Sequence, residues 1–250
     1  MGIVAPSPVS AVTDMKVVII VGPVEESTSD YRASARRYAE RARSYGADVI
    51  EIYSPDATWK KVKAAAQGAN VLIYLGHGNG SPSPYGPFSK YTKDGFGLNK
   101  RAGHGNSNTT YWGEYYIKTQ ITLAKNAVVI LNRLCYASGN SEWGSPNPTE
   151  KVAKKRVDNF GAGFLRAGAR AVFAEGTSDA SYILDGLLGS NMTIGEIFQS
   201  SGAWSGDRDF KFDSRRTAGF RVWMDPNAPR RYYRSVVGKF DLEASAFRAS

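Results

Sequence analysis

Lys16–Val21 reads KVVIIV, a short continuous apolar run of the kind a strand shows when both faces of its sheet are covered. Working outward from it, two kinds of segment alternate. Tyr31–Tyr45 has helical patterning, with Ser29 or Asp30 as N-cap and Gly46 just past the end. Ala47–Tyr53 is predicted as a second strand, Thr58–Gln67 as a helix stopped by Gly68, and Asn70–Leu75 as a third strand. Strand and helix in turn, joined by short loops, predict an α/β fold: a three-layer, doubly wound, mostly parallel sheet with helices on both faces. Further on, helices are predicted at Glu114–Ala124 and Thr149–Ala167, and strands at Ala127–Leu134 and Ala171–Ala174. Beyond Glu175 come short helices near Tyr182–Leu188 and Ile194–Ser200, then strand-like pieces around Phe210–Met224 and Tyr232–Val237. Two stretches break the rhythm. Gly76 to Gly113 and Tyr136 to Pro148 are rich in Gly, Ser, Pro and Asn, and loops that long in a compact domain are usually functional.

Composition narrows the classes. With 42% hydrophobic and 22% charged residues, 250 residues suffice for a sizeable core. No apolar run approaches the ~18 residues a membrane span needs. The single cysteine, Cys135, excludes an intramolecular disulfide and the cysteine-rich zinc modules. A net charge of +9 favours acidic partners, although a solvated surface is the better account of it. The arginines of the first helix supply part of that charge. Residues 1–15 read as a Pro/Ser/Ala-rich lead-in without the charged start of an intact signal peptide. Residues 16–250 read as one α/β domain, with its core at 16–176 and short helices and strand-like segments at 177–250. Compartment and oligomeric state are left open by these features.

Two reactive side chains fall at predicted strand ends, where ligands bind in open parallel sheets. His77 follows the third strand and Cys135 the fourth. If those strands are neighbours ~4.8 Å apart, imidazole and thiol can meet across the rim, as a Cys–His pair requires. Gly78 permits close backbone approach, and its N–H is an oxyanion donor candidate. A lone strand-end cysteine is often only a small buried hydrophobe, and a loop histidine often only a loop residue. The pair at consecutive strand ends is what gives the site weight. His104, the other histidine, reads as a loop residue; with no Cys-x-x-Cys or His-Glu-x-x-His present, no metal is expected. Walker A, dinucleotide and Gly-x-Ser-x-Gly patterns are absent too, and no cofactor is expected.

The strand ending in His-Gly, VLIYLGHG (Val71–Gly78), and the strand ending in a cysteine with Ser-Gly after it, VVILNRLCYASG (Val128–Gly139), resemble the caspase-like cysteine peptidases. That superfamily includes the legumains, gingipains, clostripain, metacaspases and separases. The separation from His77 to Cys135 is 58 residues, against about fifty in caspases. GFLRAGARAVFAEG (Gly163–Gly176) looks like the helix and strand that follow the nucleophile in bacterial relatives, so the likeness spans 16–176. It implies a caspase-like or flavodoxin-like sheet topology, Cys135 as nucleophile, His77 as catalytic histidine, Gly78 N–H as oxyanion donor, and a peptide or protein as substrate. Nucleic acid is not expected as a partner. Leu134 stands where the family usually has a small residue, and Cys135-Tyr136-Ala137-Ser138-Gly139 carries one extra residue. The resemblance also implies pocket residues two before the nucleophile and at the end of the first strand. Arg133 suits an acidic substrate side chain, Glu25 a basic one, and Glu175 is a further candidate acid. The expected function is therefore a cysteine endopeptidase, a hydrolase with transpeptidation as a possible variant. The alternative is a catalytically inactive module of this fold that binds an anionic polymer through its basic surface.

Overall fold

The computed structural model describes residues 15–249, so most of the lead-in at 1–15 lies outside the described residues. Strand β1 (Lys16–Val21) pairs in parallel with β2 (Asp48–Tyr53) on one side and β3 (Val71–Leu75) on the other. The sheet continues in parallel through β6 (Val128–Asn132) and β7 (Ala171–Glu175). Three antiparallel strands complete it: β10 (Arg234–Gly238), β9 (Arg221–Met224) and β8 (Phe210–Asp213). The spatial order is β2-β1-β3-β6-β7-β10-β9-β8. The chain winds one way from β1 to β2 and then the other way from β3, so strand order reverses between β1 and β3.

The period of two along each strand divides the core into two layers. Val18, Ile20, Leu72, Tyr74, Val129 and Leu131 face α2 (Trp59–Ala66), α3 (Glu114–Gln120) and α4 (Glu150–Arg166). Val17, Ile19, Val71, Ile73, Val128 and Ile130 face α1 (Thr28–Ser44), α5 (Ser181–Gly189), α6 (Ile194–Gln199) and α7 (Ala244–Arg248). Both faces of the central strands are therefore dry, which is why these strands read as unbroken apolar runs. The fold is the three-layer, doubly wound, mostly parallel α/β sheet that the alternation predicts.

Two local differences have clear causes. Helix α3 ends at Gln120 rather than Ala124, because Leu123 N–H is taken by the Ala167 carbonyl and Ala124 N–H by that of Ala69. The stretch 76–113, without apolar period, contains a hairpin of β4 (Phe96–Asn99) and β5 (Thr109–Trp112). Its anchor is the buried Tyr74 hydroxyl, which accepts from Gly97 N–H at 2.8 Å and lies within hydrogen-bonding distance of the Gly97 and His77 carbonyls. The hairpin thus hangs on the strand that carries His77.

Candidate active site at the carboxyl edge

Leu75 and Asn132 are register partners on adjacent parallel strands, so the chain leaves β3 and β6 side by side. His77 and Cys135 follow at once. Their backbones touch: a Cβ on Gly78 would overlap the Cys135 carbonyl oxygen. Only glycine fits there, as the close approach requires. The Gly78 N–H has no acceptor among the described residues and remains free for a ligand oxygen.

The histidine has a partner of its own. Its Nε2 stands 3.0 Å from Oε2 of Glu25, in the loop after β1. The two side chains bridge the point where strand order reverses, where open α/β sheets place their ligands. Glu25 reaches this position with a φ of 45°, and its N–H donates to the Asn106 carbonyl at 3.0 Å. Asn106 is in turn held by Ser54, and Ser54 by the buried Asn99 at the end of β4. A polar chain rooted in the hairpin therefore sets the carboxylate beside the imidazole. Glu25 is placed as the partner of His77 and does not line the cavity at Cys135.

That cavity, of about 480 Å³, is lined by Cys135 together with Tyr31, Arg133, Asn140, Glu142, Trp143 and Tyr233. No hydrogen bond joins the Cys135 thiol to the His77 ring in this arrangement. Burial, with the Glu142 carboxylate adding to it, pushes the thiol up to about 11, while Arg156 opposes the shift. Glu142 is fixed from two sides: the Tyr85 hydroxyl donates to one oxygen at 2.7 Å and the Tyr136 hydroxyl to the other. Arg156 secures the same loop, donating to the carbonyls of Pro82 at 2.8 Å and Asn140 at 2.7 Å and stacking on Tyr136. The loops after β3 and β6 are thereby strapped together over the thiol.

Arg133 adopts a φ of 61°, donates its N–H to the Glu175 carbonyl, and stacks its guanidinium on Tyr31 at 5.6 Å. It lines the cavity. Glu175 does not. Strand parity puts it on the same face as Ala171 and Phe173, under α5 and α6, where it is fully buried. There it receives both Arg234 Nε, at 3.0 Å, and the Tyr182 hydroxyl, at 2.5 Å. His104 sits in the β4–β5 loop and bonds Asn108. Asn140, Glu142, Tyr85 and Tyr136 are the site residues that sequence reasoning missed, since only their position in the two Gly/Ser-rich loops marked them. Among the described residues no group of three His, Cys, Asp or Glu is placed to hold a metal ion, and no helix is long and apolar enough to cross a membrane.

No family model matches the chain, and no curated protein matches it either. Among solved structures it is similar to a flavodoxin from Streptococcus pneumoniae TIGR4, at 15% identity over 62% of this chain and 77% of that one, with a TM-score of 0.30. It is also similar to a protein from Geobacter sulfurreducens, at 12% identity over 75% of this chain and 87% of that one, with a TM-score of 0.35. Scores that low carry no argument about activity. The functional reading rests on the chain's own carboxyl edge.

Proposed function

We propose that the chain is a cysteine endopeptidase working through Cys135 and His77. The observation that carries this reading is the juncture of the two strand ends, with Gly78 packed on the Cys135 backbone and the imidazole partnered by Glu25. With Nε2–H donated to Glu25, Nδ1 is the nitrogen left to take a proton. Because burial and Glu142 keep the thiol protonated at neutral pH, the proton moves to His77 as Sγ attacks the scissile carbonyl carbon. The carbonyl π pair becomes an oxyanion facing the Gly78 N–H. Collapse breaks the C–N bond, the amine leaves with the proton held by His77, and a thioester remains. Water, deprotonated by His77, then releases the acid and restores the thiol. An amine in place of water gives transpeptidation through the same intermediate.

The competing reading, an inactive module that binds an anionic polymer, draws on the missing thiol–imidazole hydrogen bond. Against it, the arginines of α1 are largely matched by carboxylates, Arg43 with Glu51 at 2.6 Å, Arg41 with Asp185 and Arg37 with Asp179 at 3.9 Å. The deciding experiment is cleavage of a fluorogenic peptide pool by wild type, Cys135→Ala and His77→Ala. Each substitution is expected to lower turnover by about a hundredfold or more, with unchanged circular dichroism. Wild-type turnover in either variant overturns the dyad. A wild type without turnover, bound to heparin or oligonucleotide with a steep salt dependence, establishes the module instead.

A further inference from the structure

A second cavity, of about 410 Å³, lies on the other side of the wall that backs the Cys135 cavity. Tyr232 and Tyr233 form that wall. They lead into β10 and face opposite ways, Tyr233 into the Cys135 cavity and Tyr232 into the second one. Tyr232 is only 5% exposed, yet its hydroxyl keeps accessible surface in the cavity and makes no hydrogen bond among the described residues. Arg208 and Arg230 line the same space, and neither guanidinium takes part in a hydrogen bond or ion pair among the described residues. Arg230 is presented by a stiff turn. Pro226 and Pro229 restrict the backbone, Arg231 N–H donates to the Ala228 carbonyl at 3.0 Å, and Asp225 at the base is held by Arg234 at 2.7 Å. The φ of Arg230 is 63°, a conformation that favours glycine, so the turn carries a guanidinium where the backbone alone selects no side chain. Glu150, the carboxylate among the lining residues, is already engaged by Lys154 at 2.5 Å.

We propose that this second cavity binds an acidic segment of a protein chain, a Glu or Asp side chain standing beside an aromatic or aliphatic one, at a site separate from the Cys135 cavity and independent of the peptidase reading. The free groups are all donors, two guanidiniums and a phenol, and a carboxylate is the side chain that accepts from all three. Burial and the Glu150 charge hold the phenol above its usual 10, so it stays a donor at neutral pH. The apolar neighbour follows from the rest of the lining. Phe210, Pro226 and Pro229 offer surface that a carboxylate alone leaves uncovered. An ammonium faces two guanidiniums. A neutral amide leaves both of them without a counter-charge. A polymer charged at every unit, such as nucleic acid or a sulfated glycan, has no apolar group for the prolines and Phe210, and its next charges meet Glu150 and Asp207, the neighbour of Arg208.

The test is binding, with no dependence on turnover. Fluorescein-labelled peptides with the cores Glu-Glu-Phe, Glu-Glu-Ser, Gln-Gln-Phe and Lys-Lys-Phe are titrated by fluorescence polarisation against Cys135→Ala, which leaves the peptides intact. The Glu-Glu-Phe peptide is expected to bind about tenfold or more tightly than the other three. Arg208→Gln and Arg230→Gly are each expected to weaken it about tenfold, and Tyr232→Phe about three- to fivefold. Arg230→Gly suits the backbone at that φ, so it loses the ligand without losing the fold, and circular dichroism checks this. Equal binding of Glu-Glu-Phe and Gln-Gln-Phe, failure of every peptide to bind at millimolar protein, or affinity that survives all three substitutions overturns the proposal. Heparin or an oligonucleotide that displaces the peptide more effectively than unlabelled Glu-Glu-Phe peptide, and that loses its own affinity in the same variants, makes the cavity a polyanion site and overturns the peptide assignment.

Discussion

Glu25 shows what a single residue contributes when its neighbours over-determine it. A non-glycine residue at a φ of 45° is uncommon, and here the conformation points the carboxylate at His77. From sequence it reads as a pocket acid, because it follows the first strand; the loop's turn, which decides where the side chain goes, leaves no mark in composition. On the proposed peptidase reading, removing its charge while keeping its shape, as Glu25→Gln, is expected to lower kcat about tenfold with KM little changed, since that reading has the residue orient the imidazole. A rise in KM at constant kcat would return it to the pocket. For Cys135 and His77, by contrast, the sequence places both at strand ends, and their meeting depended on those two strands being neighbours, as β3 and β6 are. Glu175 stood at a strand end as well. One residue of parity sent it into the core, and a pattern of continuously apolar strands cannot say which face a terminal residue takes.

At the scale of elements, the loops after β3 and β6 carry the polar network of the candidate site, which periodicity could not foresee. The hairpin β4–β5 was hidden because its strands have four residues each and lie among glycines. In retrospect Phe96 and Leu98 alternate, and TTYW is a β-favouring run. The tyrosine strap across Glu142 is a property of two loops together and has no signature in either. The Glu142 charge that it holds adds to burial in raising the thiol. Glu142→Gln removes the negative charge that disfavours the thiolate, so the Cys135 pKa is expected to fall from about 11. Alkylation by iodoacetamide at pH 8 is then expected to speed up roughly three- to tenfold. An unchanged rate would mean that burial alone holds the thiol.

For the whole molecule, the most informative buried titratable group is Asp94, at the start of the hairpin. It is fully buried, its Oδ1 accepts from Ser81 N–H at 3.0 Å, and its Oδ2 has no partner. Burial raises it from 3.8 to about 8, with the charge of Glu114 adding to the shift. The folded chain therefore keeps a proton that the unfolded chain releases, and this contribution to stability, complete below pH 3.8, is lost as pH rises through about 8. Asp94→Asn mimics the protonated form at every pH. Its melting temperature is expected to match wild type near pH 4 and to exceed it by about 5 °C at pH 9. A difference that does not grow with pH would refute the assignment.

The junction of parallel and antiparallel strands has a consequence for chain continuity. Arg234 stands opposite Glu175 on the β7–β10 ladder and binds both Glu175 and, at 2.7 Å, Asp225, while Gly176 N–H donates to the Tyr233 carbonyl. The chain thus leaves β7 and comes back beside it on the same rung in β10, and the stretch between them carries α5, α6 and the outer strands β8 and β9. A break in the stretch between α6 and β8 would divide the backbone into two polypeptides, the first keeping β7 with Glu175 and the second keeping β10 with Arg234 and Asp225. The sheet would then be stitched by its rungs alone, and the amino-terminal piece would still carry Glu25, His77 and Cys135.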